Sequence, residues 1–437
     1  MVTELDAVGG RPQPTGARLP GTPIAAEPVR LVGATVIDGA RHDPLPDAEV
    51  EIVEGRIVYV GPRRSRDRAA ARVVDLRGGW LMPGFVDTHV HLDMSPAPVE
   101  RRREWFPEEA VIATLGNLRA TIDAGVTTAR DLSGLTPGYR SSIAAGDVVG
   151  PRLHLAIALL SPTGGHADPV LANGSVPLWA ERATTPSWAV VDTADEVVRT
   201  VRALVRTGAD VIKVCTSGGV TSPHDSPADV GIPREHVELI VRELANRQGQ
   251  PVAAHAQNDV SVRAAVLGGA ASVEHGYEMT DATIELLVER GTTLVPTLST
   301  LLRPPPAGSG AEAVEARRVR QEHGRSSVRR AVAAGVRVAL GTDAGIHPQG
   351  RNLAELGHLV RAGLTPLEAV HAGTLAGARL LRLDDRLGSI RAGALADLVI
   401  TGIDPLDRID DLAEPSAVRA VLQGGRFVKD LDGLGRR

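Results

Sequence analysis

The sequence contains very little cysteine and few aromatic side chains. Cys215 is the single cysteine among 437 residues, which excludes both an intramolecular disulfide framework and a zinc cluster built from thiolates. Phe, Trp and Tyr make up 2% of the chain and leave few rings for the stacking platforms of proteins that bind single-stranded nucleic acid. These shortages indicate a reducing compartment and a core of aliphatic side chains.

An excess of charge of one sign and long apolar runs are also missing. The 48 basic residues nearly balance 53 acidic ones, so there is no basic stripe to neutralise phosphates or an anionic membrane surface. No apolar run is as long as the roughly 18 residues that a membrane span needs, and the first residues lack the features of a signal peptide. We therefore expect a cytoplasmic protein, a homo-oligomer, that binds a small-molecule substrate and neither nucleic acid nor membrane.

Lysine is almost absent from the basic residues. Only Lys213 and Lys429 occur, and every other basic residue is arginine. Lys429 lies near the C-terminus and is expected to be a solvated surface charge. Lys213 lies in an apolar run, residues 211–215, that predicts a buried strand, where an unpaired charge would be costly. We therefore expect Lys213 to have a chemical role that arginine cannot perform.

Strand-like runs alternate with amphipathic helical stretches in the middle of the chain. Eight such runs are predicted at residues 85–91, 127–131, 153–159, 211–216, 252–255, 272–275, 293–297 and 338–343. Eight β/α units in about 300 residues are typical of an α/β fold with a closed (β/α)8 TIM barrel. The competing doubly wound sheet is disfavoured because no Gly-x-Gly-x-x-Gly follows an early strand.

Short β-prone runs precede and follow the predicted barrel. They predict a small β-sandwich domain built from the N- and C-terminal segments, with a hairpin turn at Gly424 and Gly425. The expected organisation is a flexible tail at residues 1–28, a composite β-sandwich domain at 29–83 and 385–437, and a catalytic barrel at 84–384.

Residues able to bind a metal, or to be modified to do so, end several predicted barrel strands, at the rim where TIM-barrel active sites form. They are His89, His91, Lys213, His255, His275 and Asp343. A spacing of two places both imidazoles of the first strand on one face, and barrel closure would bring the eighth strand beside the first. The histidines and the aspartate therefore predict metal binding at this rim.

The ligand types indicate the chemistry of the predicted site. Imidazole and carboxylate groups suit Zn²⁺, and the second group of histidines suggests a second divalent ion, which requires a bridging anion. An ammonium cannot ligate, but the amine of Lys213 can react with CO₂ to form a carbamate, which arginine cannot do. We hypothesise that carboxylated Lys213 bridges two ions. A hydroxide shared by the ions would be the nucleophile and Asp343 would transfer its proton, which predicts hydrolysis of an amide, lactam or ester.

The order of these six residues along the chain resembles that of the metal ligands in the amidohydrolase superfamily, in its binuclear form with a carboxylated lysine. The resemblance covers residues 28–430. The resemblance implies that His89, His91 and Asp343 hold one ion, that His255 and His275 hold the other, and that the Lys213 carbamate binds both. Segments 161–168, 212–220, 254–256 and 273–276 resemble the Xaa-Pro dipeptidase group. Relatives of that group cleave dipeptides, N-acyl amino acids or aminoacyl amides such as ochratoxin.

Other polar residues near the predicted rim are candidates for substrate binding. They are His166, His224, Arg234 and His347. His166 follows a Gly-Gly pair in a long loop after the third strand and is expected to donate a hydrogen bond to the substrate carbonyl or its oxyanion. Arg130 and Asp131 end the second strand and are expected to form a structural ion pair.

We therefore expect a metal-dependent hydrolase that cleaves the amide bond of a small amino-acid derivative, such as a dipeptide or an N-acyl amino acid. Hydrolysis of a cyclic amide or lactone, as in imidazolonepropionase-like relatives, is an alternative that shares the chemistry and differs in the pocket. A catalytically inactive metal-binding scaffold is a third possibility, which the six ligands disfavour because a binding module has no need of an activated water.

Overall fold

The computed structural model describes residues 27–64, 71–95, 105–176, 187–220, 222 and 224–436. The predicted tail, residues 1–28, lies outside this part of the chain except for its last two residues.

The described secondary structure alternates strands and helices through the middle of the chain. The strands are β1 (Val29–Val36), β2 (Leu45–Val53), β3 (Arg56–Pro62), β4 (Arg72–Asp75), β5 (Trp80–Pro83), β6 (Phe85–Val90), β7 (Val126–Asp131), β8 (Arg152–Leu155), β9 (Leu159–Ser161), β10 (Trp188–Val190), β11 (Ile212–Cys215), β12 (Val252–Ala256), β13 (Ser272–His275), β14 (Thr293–Val295), β15 (Leu398–Thr401), β16 (Val418–Gln423) and β17 (Arg426–Asp430). The helices are α1 (Pro107–Asp123), α2 (Pro137–Ala145), α3 (Ala194–Thr207), α4 (Arg234–Ala245), α5 (Asp259–Leu267), α6 (Asp281–Arg290), α7 (Leu298–Leu301), α8 (Ala311–Ala333), α9 (Ala354–Arg361), α10 (Pro366–His371) and α11 (Gly377–Leu380), with a π-helical turn at Ala372–Ala376.

One sheet joins the two ends of the chain, in the order β17-β16-β15-β5-β1-β2-β3, with β4 paired to β1. The connection between the ends is the antiparallel pair of β15 and β5. Apolar side chains from both ends, including Leu31, Ile52 and Leu398, form a hydrophobic cluster of their own. Gly424 and Gly425 have positive φ angles of 56° and 78° at the turn between β16 and β17, as the predicted hairpin requires.

The central strands are parallel and form two sheets, β6-β7-β8 and β10-β9-β11-β12-β13-β14. The third predicted strand is divided: β8 pairs with β7, whereas β9 pairs with β11. Between the two halves, Ile157 has a φ angle of 72°, a left-handed conformation that interrupts an extended strand. Among the described residues, the eighth predicted run, 338–343, makes one isolated parallel bridge, Leu294–Val338, and Ala344 directly after the run makes another with Val90.

The helices cover the central strands with aliphatic faces. In α3, Val197, Val201 and Leu204 are buried at the spacing of an amphipathic helix. The Thr193 hydroxyl accepts a hydrogen bond from the Glu196 amide and so caps the first turn of this helix. None of the helices in the described segments combines the length and the hydropathy needed to cross a bilayer.

Lys429 is buried, so the expectation of a solvated surface charge is wrong. The residue is 8% exposed, and its Nζ donates to the carbonyl oxygen atoms of Asp123, at 2.7 Å, and Pro415, at 2.5 Å. Carbonyl groups at the end of a helix lack partners within the helix and can accept from an ammonium group. Lys429 therefore connects β17 to the C-terminal end of α1.

Candidate active site

The six predicted metal-site residues are all buried, and the four histidines lie at or just beyond the carboxyl ends of central strands, His89 in β6 and His91 directly after it. Lys213 is the second of the four residues of β11, so the expectation that it ends its strand is wrong. In the parallel pair of β12 and β13, Ala256 is the register partner of His275, so His255 and His275 lie on adjacent strands at the same end. This arrangement follows from the register of parallel strands.

Asp343 approaches the two histidines of the first strand. Its Oδ1 atom lies 3.5 Å from Nε2 of His89 and 3.4 Å from Nε2 of His91. Ligand atoms of these three residues lie within 4.8 Å of one another, a grouping able to hold a metal ion. The chemistry of the donors, two imidazoles and one carboxylate, fits a divalent ion such as Zn²⁺.

Backbone and side-chain hydrogen bonds hold Asp343 in this place. The Asp343 amide donates to the carbonyl oxygen of His89 at 2.8 Å. Asp87, which is buried in β6, accepts from the Thr342 hydroxyl at 2.7 Å and from the Asn352 amide at 2.9 Å. Burial raises the pKa of Asp87 to about 6. Asp87 was not among the residues predicted from the sequence, although a carboxylate inside an apolar strand needs such partners.

Imidazole rings form a continuous row across the site. The centroid distances are 5.4 Å for His91–His89, 5.2 Å for His89–His275, 4.5 Å for His275–His255 and 4.3 Å for His255–His166. The row joins the histidines of the first strand to those of the fifth and sixth. The two predicted groups of ligands therefore lie side by side at one site.

Lys213 brings a buried amine without a hydrogen-bond partner. The residue is 1% exposed, and its Nζ contacts no acceptor among the described residues. Burial lowers the pKa of Lys213 and favours the neutral amine. A buried amine without a hydrogen-bond partner is energetically costly. Conversion of the amine to an anionic metal ligand would supply the interaction that it lacks.

Three of the histidines are held through their Nδ1 atoms by residues outside the predicted set. The pairs are His89 with Oε2 of Glu274 at 2.8 Å, His91 with Oγ of Ser133 at 2.7 Å and His275 with Oγ1 of Thr297 at 2.7 Å. In each ring the Nε2 atom is left to act as a ligand. Partners of this kind fix the orientation and the tautomer of histidines that bind metal.

The His255 ring is held through its other nitrogen atom, Nε2. Its Nε2 donates to the carbonyl oxygen of Gly218 at 3.0 Å, which leaves Nδ1 as the atom with a free lone pair. Burial lowers the pKa values of His89, His255 and His275 well below the usual histidine value. These rings are therefore neutral at pH 7, which is the form that binds metal.

Asp343 is ionised in this environment. Burial alone would raise its pKa, but the neighbouring His89 and the hydrogen bond from His91 outweigh burial and lower the pKa to about 2. The carboxylate is therefore able to bind a cation or to accept a proton at neutral pH.

Glu274 forms a buried ionic network behind His89. Its Oε1 accepts from Nη2 of Arg130 at 2.9 Å, and both side chains are fully buried. Ser272 hydrogen-bonds to both partners. The predicted ion pair between Arg130 and Asp131 is therefore wrong, because Glu274 is the carboxylate that contacts Arg130, whereas Asp131 accepts from the amides of Leu92 and Leu135. An acidic residue inside an apolar strand was the signal that could have identified Glu274.

Comparison with known proteins identifies the family. Residues 80–428 match the model of the amidohydrolase family. The chain belongs to this family. It is therefore a member of a family of hydrolases that act on amide carbon–nitrogen bonds and generally bind metal ions.

Individual relatives resemble this amidohydrolase over nearly its whole length. An ochratoxinase from Aspergillus niger is 30% identical, with 96% of this chain and 92% of the relative covered. A crystal structure of a prolidase complexed with N-methylphosphonate-L-proline has a TM-score of 0.83 at 31% identity and covers 92% of this chain and 100% of that one. A Xaa-Pro dipeptidase with bound methionine has a TM-score of 0.82 at 28% identity, with the same coverage of both chains.

Two of the four candidate substrate-binding residues, His166 and His347, lie close to the predicted metal ligands. The His166 ring stacks on His255, and its Nδ1 lies 3.4 Å from Oδ2 of Asp225. His347 donates from Nε2 to the carbonyl oxygen of Thr342 at 3.1 Å, next to Asp343 in the chain. Both residues therefore lie at the site.

His224 and Arg234 form no hydrogen bond or ion pair with the six metal-site residues in the described part of the chain. His224 is exposed, and so is Arg234, which forms an ion pair with Glu238 at 2.6 Å. Their role in substrate binding remains a prediction.

Several site residues have left-handed backbone conformations. The φ angles are 78° for His275, 47° for Thr297 and 57° for Asp343. This conformation is unfavourable for a β-branched residue such as Thr297 and persists where surrounding contacts require it. The Thr297 hydroxyl also hydrogen-bonds to the Tyr277 hydroxyl at 2.8 Å, so the strained residue connects two elements of the site.

Proposed function

We propose that this amidohydrolase cleaves the amide bond of a small amino-acid derivative, such as a dipeptide or an N-acyl amino acid, with two divalent ions. The observation that carries the proposal is the continuous row of imidazoles between Asp343 and His166, with the buried amine of Lys213 lacking a partner. The ochratoxinase, prolidase and Xaa-Pro dipeptidase among its relatives support an amide substrate that contains an amino acid.

The donor set fits two ions, for which Zn²⁺ is the best match. His89, His91 and Asp343 would hold one ion, and His255 and His275 would hold the other. Carboxylated Lys213 would be the ligand that both ions share, because a carbamate has two oxygen donors. When bound, such ions polarise a carbonyl group and lower the pKa of water from 15.7 to about 7.

Residues of the chain supply proton transfer and orientation. Asp343 accepts the proton of the attacking water and delivers it to the leaving amine, for which its ionised state is required. His166 donates a hydrogen bond to the oxygen of the scissile carbonyl. Its position against His255 supports this role, because stacking at 4.3 Å keeps the ring beside the predicted metal ligands.

We also propose that the parallel sheets form one closed (β/α)8 barrel that carries a β-sandwich domain. The division of the third strand supports closure, since its halves pair with the strands on either side, and so do the bridges at Leu294–Val338 and Val90–Ala344. The pairing of β15 with β5 supports the composite domain at residues 29–83 and 385–437, outside the barrel at 84–384. A homo-oligomer in the cytoplasm remains part of the proposal.

The test is turnover of a panel of dipeptides, N-acyl amino acids, lactones and cyclic amides by protein loaded with Zn²⁺. Release of a free amino acid from linear amides, together with about two ions per chain by elemental analysis, is the expected result. Turnover restricted to lactones or cyclic amides would contradict the proposed substrate class. Purified protein that binds no metal and cleaves nothing would contradict the proposed chemistry.

A further inference from the structure

A buried glutamate of α9 contacts the loop that follows β14. Glu355 is fully buried, and its Oε1 accepts a hydrogen bond from the Leu298 amide at 2.7 Å. Its Oε2 accepts from the amide and from the hydroxyl of Ser299, each at 2.6 Å. Within the described residues, every hydrogen bond of this carboxylate comes from Leu298 and Ser299, at the start of α7. The proposed reaction assigns no role to Glu355.

Glu355 supplies the cap that α7 lacks. The residue before this helix, Thr297, has φ and ψ angles of 47° and 46°, and its side chain makes no capping hydrogen bond. The first amide groups of a helix have no acceptor within the helix and, when buried, need one from elsewhere. The Glu355 carboxylate meets this need for two amides. It therefore fixes the position of residues 297–300, which we call the α7 turn.

The α7 turn contacts both predicted groups of metal ligands. At its start, the Thr297 hydroxyl lies 2.7 Å from Nδ1 of His275. At its end, the Thr300 hydroxyl donates to the carbonyl oxygen of Thr342 at 3.1 Å and to that of Asp343 at 3.3 Å. His275 belongs to one predicted ligand group and Asp343 to the other. A displacement of this four-residue turn would therefore disturb a contact of each group.

Stability alone does not account for this carboxylate. Burial raises the pKa of Glu355 to about 7, and the hydrogen bonds from Ser299 and Leu298 offset the effect only in part. An apolar side chain of similar size would avoid the cost of burying a carboxyl group but could not accept from the two amides. The left-handed backbone of Thr297 also persists only where neighbouring contacts require it. The position of the turn is therefore what Glu355 provides.

We propose that Glu355 is a positioning residue for the active site. It fixes the α7 turn, so that Thr297 orients the His275 ring. Through the same turn it keeps Thr300 in contact with the segment that carries Asp343. The inference goes beyond the proposed function and rests on its assignment of His275 and Asp343 as metal ligands. Because a partner at the second ring nitrogen fixes the tautomer of a histidine ligand, Glu355 affects metal binding without contacting a ligand itself.

The first experiment observes His275 in the metal-free full chain, by NMR of ¹⁵N-labelled histidine side chains assigned with a His275→Gln variant. Wild type is expected to show one tautomer, with the proton on Nδ1, where Thr297 accepts it. Glu355→Gln places a donor against one of the two amides, because a carboxamide has a single oxygen atom. The His275 signals should then show a mixture of tautomers. Those of His91, which Ser133 holds, should not change.

Three further variants separate positioning from a general loss of stability. Ser299→Ala removes one of the three hydrogen bonds and should change the His275 signals less than Glu355→Gln does. Thr297→Val removes the contact to His275 itself, so Glu355→Gln should add little to its effect if the two residues act in one chain of contacts. Glu49→Gln removes a buried carboxylate of β2, in the sheet that joins the two ends of the chain, and should leave the His275 signals unchanged.

A second experiment measures Zn²⁺ binding by competition with a chelator. Glu355→Gln is expected to weaken the binding of at least one ion by about 10- to 100-fold, as loss of a residue that orients ligands does, whereas Glu49→Gln should bind as wild type does. These results uphold the inference even if no amide is cleaved and the proposed function fails. His275 signals that Glu355→Gln leaves unchanged, or that Glu49→Gln changes equally, overturn it, even if amide hydrolysis is found. If Glu355→Gln does not fold, Ser299→Ala decides between these outcomes by the same measurements.

Discussion

Oε2 of Glu274 lies 2.8 Å from Nδ1 of His89, and both side chains are buried. The contact connects β13 to β6 across the interior and fixes the imidazole so that Nε2 faces Asp343 at 3.5 Å. Arg130 compensates the charge of Glu274 from the other side at 2.9 Å. The orientation of His89, a predicted metal ligand, thus depends on the ion pair of Glu274 and Arg130, neither of which belongs to the predicted ligand set.

The first prediction concerns Glu274→Gln, which keeps the shape of the side chain and removes its charge. His89 then becomes a weaker ligand, and Arg130 is left buried without a carboxylate partner. We expect metal affinity to fall by about 10- to 100-fold, the range found for partners of this type. Competition with a chelator at a fixed free Zn²⁺ concentration measures the affinity directly. Exposed Glu278→Gln is the control, and an unchanged affinity in Glu274→Gln would show that the contact does not orient His89.

The second prediction separates the two lysines. Lys213→Arg should abolish activity and reduce the bound metal, because a guanidinium does not form the carbamate. Lys429→Arg should remain active when folded, although it disturbs the hydrogen bonds to Asp123 and Pro415 and so lowers the melting temperature. Turnover and elemental analysis of both variants provide the measurements. Full activity of Lys213→Arg would rule out a carbamate bridge.

The positions of the site residues were predictable where an unusual polar residue lies in or ends a buried strand. The run around Lys213 is β11, and His255 and His275 lie in adjacent strands as the alternation of elements predicted. These features depend on local patterns of buried strands, which a single sequence contains. The spacing of His89 and His91 was informative for the same reason.

Features that depend on pairing between distant segments were not predictable. Glu274 reaches Arg130 across the interior, and the partners of Lys429 lie 306 and 14 residues away in the chain. The division of the third strand depends on the left-handed conformation of Ile157, which a β-branched residue adopts only under tertiary constraint. No local pattern contains this information.

The third prediction uses the close contact between Gly219 and His166. A Cβ atom at residue 219 would lie 2.1 Å from the His166 ring, so Gly219→Ala must displace the ring. If His166 orients the substrate carbonyl, kcat should fall by about 100-fold, as a misplacement of about 1 Å can cause. Metal content should not change, because His166 is outside the proposed ligand set.

Gly116→Ala is the control for the substitution at Gly219. Gly116 lies in α1, where an added Cβ meets no atom within 4 Å, so activity should be unchanged. Normal turnover in Gly219→Ala, with metal bound as in wild type, would remove His166 from the reaction. Loss of metal in that variant would instead show that the stacked pair of His166 and His255 acts in metal binding.

The fourth prediction concerns the acid sensitivity of His154, in β8. Its Nδ1 is buried without a hydrogen-bond partner, and burial, together with the charges of Arg130, Arg140 and Arg382, lowers its pKa to about 3. The unfolded chain has a histidine pKa of about 6.5 and therefore binds more protons than the folded chain between these values. Stability from this residue is complete above pH 6.5 and is lost as the pH falls towards 3.

His154→Leu should therefore unfold with nearly the same free energy as wild type at pH 7.5 and be relatively more stable at pH 5.5, by about 1 kcal/mol. Denaturant unfolding at both pH values measures the difference. Other titrating groups affect both proteins equally, so only the difference between them is informative. His323→Gln, at an exposed position of α8, should show no such change. A difference between wild type and His154→Leu that is the same at both pH values would mean that His154 does not titrate differently in the folded and unfolded chains.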